Sequence, residues 1–185
     1  MSIVSKLINL SIIIIFVSML VIILSFAPID MSESDANEFN ESKVIELTYD
    51  KLNEERTREG LTNLDSSNEI EIVAEYKTTN MIEQDYISHT SPSGEDVRTR
   101  FDKHDVRCEV VGENLAKTFY DKKVNTEDGT AVYKSMEELS SGIVTQFMNS
   151  PEHKDNLLDE NWNIHGLNIQ INENEVYVTH KFCSI

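Results

Sequence analysis

Five histidines are the first groups in this sequence able to hold a metal or move a proton: His89, His104, His153, His165 and His180. Near neutral pH an imidazole can act as ligand, general base or plain hydrogen-bond partner. No HExxH, CxxC or EF-hand loop accompanies them, so local spacing assigns none of them to a metal. His89 stands in a Ser/Pro/Gly loop, and His153 follows a helix end in NSPEHKDN. Taken alone, each reads first as a hydrogen-bonded structural histidine and second as a ligand. Glu113, in VGENLA, is a carboxylate between an apolar strand and Leu115–Ala116. A partly buried carboxylate needs a partner, which makes Glu113 either a hub for backbone hydrogen bonds or a general base or metal ligand. Ser88 adjoins His89 and Ser150 shortly precedes His153, but no GxSxG elbow surrounds either serine. A helix-terminal role therefore outweighs a nucleophilic one.

Cys108 and Cys183 are the only cysteines. In an extracellular domain an isolated pair is expected to be bridged; the alternative is two reduced, buried thiols.

Positioning these groups requires both helices and strands. From Lys43, Val44, Leu47 and Leu52, with Ile45 and Thr48 alongside, predict a helix stopped at Gly60. Ser66 with Glu69 fits a capping box for a second helix carrying Ile70, Ala74, Thr78 and Met81 on one face. A short strand is expected at Val106–Val111. A helix over Met136–Met148 buries Met136, Leu139, Ile143 and Phe147, and Pro151 interrupts it. The end reads as a hairpin, with Ile164–Ile171 and Val176–Phe182 around an Asn172–Glu175 turn. This is an α+β pattern, an antiparallel sheet covered by helices. The polar stretch Lys117–Lys134 is long for a connection. It is either a rim over a cleft, with Phe119, Tyr120 and Tyr133 at hand, or a solvated loop.

The 185 residues suit one domain. Leu7–Ala27 is an uncharged apolar run of 21 residues after Lys6. That length is enough to span a bilayer, and it is read as a transmembrane anchor rather than a cleaved signal. Residues 1–6 would be cytoplasmic and the rest extracellular. Pro28–Ser42 is an acidic flexible stalk containing an Asn40-Glu41-Ser42 glycosylation triplet. Residues 43–185 form the domain. The net charge is −17, and beyond the first 29 residues 15 basic side chains face 33 acidic ones. Such a surface repels phosphate backbones, which excludes charge-driven nucleic-acid binding. It favours cationic or neutral ligands and divalent metal.

Five fragments, taken in order, resemble the CAP superfamily (cysteine-rich secretory proteins, antigen 5 and pathogenesis-related 1 proteins, also called SCP-like). They are KLNEERTREGL (51–61), ISHTSPSG (87–94), VGENLA (111–116), FMNSPEHKDNLL (147–158) and VYVTHKFC (176–183). The similarity is to the prokaryotic extracellular branch and covers about 42–185. It implies an α-β-α sandwich with a central antiparallel sheet and a cleft lined by two histidines and two acidic residues. His89 and His153 match the histidines and Glu113 the GEN glutamate. The fourth position, glutamate in many animal and plant members, falls near Ser150. Asn114 would fix the Glu113 loop, and His180 would either add a nitrogen to the cleft or face the solvent. His89, His153 and Glu113 form a reasonable three-ligand set for Zn²⁺. The resemblance fits either binding or hydrolysis, and the lack of an oxyanion-hole motif and of a fourth acidic ligand favours an extracellular binding module for a lipid, glycan or peptide. The alternative is a metal-dependent hydrolase of peptides or envelope material with Glu113 as base.

Overall fold

A computed structural model describes residues 39–126 and 129–185. The expected anchor and nearly all of the stalk lie outside the described residues. Among the described residues no helix is long and apolar enough to cross a membrane.

Helix α1 (Glu41–Arg58) buries Val44, Thr48, Leu52 and Arg56. This four-residue ladder keeps one face on the core, while Leu47 is only half-buried. Asn40 is the N-cap, its Oδ1 accepting from the Lys43 amide at 2.9 Å. The domain therefore begins slightly before Lys43, and Asn40 of the glycosylation triplet has a structural task. Gly60 follows the helix with φ 77°, a left-handed conformation that suits glycine.

Strand β1 (Asp65–Ser66) precedes α2 (Asn68–Glu83). The expected capping box does not form, because Ser66 lies in β1 and Ser67 takes the N-cap position. The cause is tertiary: the Ser67 amide donates to the His165 carbonyl at 2.9 Å, drawing this segment onto the sheet. Helix α3 (Val97–Lys103) is capped by Asp96.

Strand β2 (Val110–Phe119) starts later and runs much further than the expected Val106–Val111. Its extent is set by continuous pairing, Val110 with Ser184 through Phe119 with Glu175. The GEN segment is thus mid-strand, and Lys117–Phe119 belong to the sheet. Strands β3 (Val124–Thr126) and β4 (Gly129–Ala131) form their own ladder. Then come α4 (Met136–Asn149), α5 (Pro151–Leu157), β5 (Ile164–Asn172) and β6 (Glu175–Ser184). Pro151 opens α5, where its missing N–H costs nothing.

The main sheet has the order β1-β5-β6-β2, antiparallel except for the parallel β1–β5 pair. On one face Ala116, Leu167, Ile169, Val178 and Phe182 pack with Leu52 of α1 and Leu139, Ile143 and Phe147 of α4. On the other, Cys183 meets Ile70 and Val73 of α2 and Phe101 of α3, while Leu115 and Tyr177 meet Met81. The result is the α-β-α sandwich. Close approach is essential at Gly166, where a Cβ would lie 2.5 Å from the Ile70 and Glu71 backbone. Helix α2 therefore rests directly on the backbone of β5.

Cys108 and Cys183 are bridged across a sequence separation of 75 residues, tying the α3–β2 connection to the end of β6. Removing this constraint by Cys108→Ser with Cys183→Ser should lower stability by about 4 kcal/mol in the chain-entropy model. Guanidinium unfolding measures the loss.

Candidate functional site

Glu113 and Lys181 are directly opposed in the β2–β6 register, so their side chains leave the same face of the sheet, toward α2 and α3. There the Glu113 carboxylate is buried and meets three cationic or protonatable groups. Lys181 Nζ donates to Oε2. Arg100 Nη2 lies 3.3 Å from Oε2 and 3.4 Å from Oε1. His89 Nδ1 lies 2.8 Å from Oε1. A carboxylate only accepts, so His89 Nδ1 carries the proton and donates. Burial alone pushes the Glu113 carboxyl up, but the His89 hydrogen bond and the Lys181 and Arg100 charges outweigh it and hold the group down at about 2.

The same cations build the loop that presents His89. Lys77 Nζ donates to the Ser88 carbonyl and to Tyr86 Oη, the latter at 3.0 Å. Arg100 Nη2 donates to the His89 carbonyl, and Nη1 to the Glu95 carbonyl at 2.8 Å. The His89 ring thus stands in solvent, with its side chain 58% exposed, on a buried and charged foundation. Burial pulls both Lys77 and Lys181 down to about 8, so both ammonium groups persist at neutral pH.

His153 approaches from α5, on the opposite side of edge strand β2. Asn114 Nδ2 donates to the His153 carbonyl at 2.8 Å, and Asn156 Nδ2 donates to Asn114 Oδ1 at 3.0 Å. Burial lowers the His153 imidazole, and the neighbouring His89 lowers it further. Ser150, half-buried, ends α4 and opens α5, its carbonyl accepting from the Lys154 amide at 2.8 Å. His89 and Glu113 therefore lie on one side of edge strand β2, and Asn114 with the His153 backbone on the other.

The family model for CAP, the cysteine-rich secretory protein family, matches residues 49–184, most of the chain. The chain belongs to this family. Among solved structures its CAP domain is similar to an outer surface protein from Borrelia burgdorferi, with 20% identity and a TM-score of 0.64, covering 79% of this chain and 96% of that one. It is similar to an extracellular SCP-domain protein from Bacillus anthracis, with 22% identity and a TM-score of 0.60, covering 78% of this chain and 41% of that one. It is also similar to a cysteine-rich secretory protein from Staphylococcus aureus, with 18% identity and a TM-score of 0.57, covering 79% and 40%. The CAP chain thus spans less than half of the Bacillus and Staphylococcus chains. At these identities the likeness is one of fold. No curated protein matches the chain.

Two helix α1 residues of the KLNEERTREGL fragment, Asn53 and Arg56, have clear tasks. Asn53 exchanges hydrogen bonds with the Leu64 backbone at 2.9 and 3.1 Å. Arg56 donates to the carbonyls of Thr62, Leu157 and Asp159 at 2.7–2.9 Å, tying α1 to the end of α5. They brace the CAP fold.

The Zn²⁺ set of His89, His153 and Glu113 does not fit this donor chemistry. Both Glu113 oxygens are engaged by buried cations and by His89, so its charge is already neutralised. A dication would meet Lys181 and Arg100 behind the carboxylate. Among the described residues no group of three or more His, Cys, Asp or Glu side chains is arranged to hold a metal ion.

His180 is turned into the interior. It is fully buried on the α1/α4 face, its Nε2 3.0 Å from His165 Nδ1 and its ring 4.0 Å from Phe182. His104 pairs edge-on with Tyr76 behind α2, 5.1 Å away. Within the Lys117–Lys134 stretch Tyr120 is buried, its hydroxyl donating to the Lys134 carbonyl at 3.1 Å. Tyr133 lies against α4 at Gly142, where a Cβ would meet the ring at 2.4 Å. Lys77, Arg100 and Lys181, the partners of Glu113 and its loop, carry no local signal as a group because the outer two lie 104 positions apart. The one available signal was the rarity of a lysine in the apolar run of VYVTHKFC.

Proposed function

We propose that this CAP domain is an extracellular ligand-binding module, with its ligand seated against His89 and His153 over Glu113. The observation that supports it is the ionic cage around Glu113. A general base works best with a pKa near the operating pH, whereas a carboxyl held at about 2 by His89, Lys181 and Arg100 is a poor proton acceptor. The cage instead holds the His89 ring rigidly outward, which suits recognition. The disulfide supports an oxidising, extracellular setting, and the apolar run Leu7–Ala27 supports tethering to a membrane.

Arrays of peptides and envelope glycans, probed with the full chain in detergent, test this reading. Binding should weaken at least about tenfold in His89→Ala, with no cleavage product by mass spectrometry. Turnover of an array ligand that disappears in His89→Ala would instead establish a hydrolase.

A further inference from the structure

The acidity of the whole chain is misleading at the cleft, because the buried charge beneath it has the opposite sign. Glu113 is the buried carboxylate there, and it faces Arg100 and Lys181 directly. Lys77, also fully buried, stands behind the same loop. Three cations around one carboxylate leave two positive charges without a buried counterion. Two other acids face the group, and exposed Glu152 faces His153 at the site itself. Glu95 is occupied by Lys103 at 2.8 Å, and Asp96 caps α3 from the exposed surface. Donors are in excess as well: Arg100 Nε is buried and has no hydrogen-bond partner among the described residues. Surface acids further than about 8 Å through salt water are screened, while buried charges are screened much less. The local positive field therefore outweighs the protein's net charge at this spot.

We infer that Lys77, Arg100 and Lys181 make the His89–His153 cleft selective for an oxyanion, a carboxylate or phosphate group of the ligand, and against a divalent cation. This rests on the cleft being the ligand site. It reverses the preference for cations that the overall acidity suggests. None of the three cations is open to solvent, so they select by field, and the imidazoles of His89 and His153 remain to touch the ligand. The lysines are specificity-determining residues that the ligand never contacts.

The test exploits the sign of the effect. Histidine ring resonances of the full chain in detergent are followed in separate titrations with acetate, inorganic phosphate and Zn²⁺. In the wild type the anions should shift His89 and His153, and Zn²⁺ should bind no more tightly than they do. Lys181→Met should weaken anion binding and tighten Zn²⁺ binding, each about tenfold, from loss of one unscreened charge. Lys77→Gln should move both the same way while leaving Glu113 its two direct partners, and it serves if Lys181→Met does not fold. A merely structural defect would weaken both ligands together and overturn the inference. Tight Zn²⁺ binding to the wild type with unmoved anion titrations would overturn it too. The relative response to acetate and phosphate distinguishes a carboxylate from a phosphate ligand. If neutral oligosaccharides or peptides shift His89 and His153 while both anions do not, the charge preference alone falls. If no titrant of any charge shifts them, the ligand-site reading falls with it.

Discussion

Glu113→Ala should lower the unfolding free energy by about 3–5 kcal/mol, the usual cost of leaving buried charge unpaired. The Glu113 carboxylate is almost wholly enclosed, and it is the direct acidic partner of both Lys181 and Arg100. Removing it strands two cations in the interior and frees the His89 ring from its acceptor. The loss should reach beyond the site, because Arg100 also holds the His89 and Glu95 carbonyls. Urea unfolding of wild type and variant measures the effect. The double variant Glu113→Gln with Lys181→Met should recover part of it, since one stranded charge is then gone. A loss below about 1 kcal/mol for Glu113→Ala would show that the cage is relaxed by solvent and contributes little.

Stability should also fall steeply on mild acidification, and the cause lies away from the cleft. His165 and His180 are buried between the sheet and α1, 3.0 Å apart. Burial, reinforced by the Arg56 charge, holds His165 down at about 3. Burial, then His165 and Arg56, lower His180 well below the ordinary value. The other groups facing the pair are Tyr49, which stacks near His165, and Glu71, which accepts from the Tyr49 hydroxyl at 2.8 Å. Unfolded imidazoles titrate near pH 6.5, so between about pH 6.5 and 3 the unfolded chain binds more protons than the folded one. Stability therefore rises with pH through this window and is lost as pH falls. For His165 alone the loss should be about 3 kcal/mol by about pH 4.5, with His180 acting in the same direction. Glu113 adds to the loss only in a lower window, between its ordinary carboxyl range and about 2. Denaturant curves at neutral and mildly acidic pH, repeated on His180→Gln, should show a shallower pH dependence in the variant. Equal stability at the two pH values would contradict the buried, neutral pair.

How much could be read in advance depended on the range of the interaction. The helices over Glu41–Arg58 and Met136–Asn149 were legible because apolar side chains recurring at helical spacing are a local signal, and the terminal hairpin because its alternation and turn lie within one short stretch. Strand β2 was misplaced because its alternation is weak. Its limits follow from the pairing partner β6, more than fifty residues away. The capping box failed for a similar reason, when the sheet claimed Ser66 first.

The sequence by itself determined the α+β class, the CAP family and the disulfide partners. Motifs of contiguous residues and a lone pair of cysteines carry those conclusions. Only the tertiary structure decided what the candidate site residues face. It enclosed Glu113 among Lys77, Arg100 and Lys181, and it turned His180 inward to His165. The physical reason is that an ionisable group takes its properties from desolvation and from charges within a few ångströms, and in this chain those charges come from helices and strands remote in sequence.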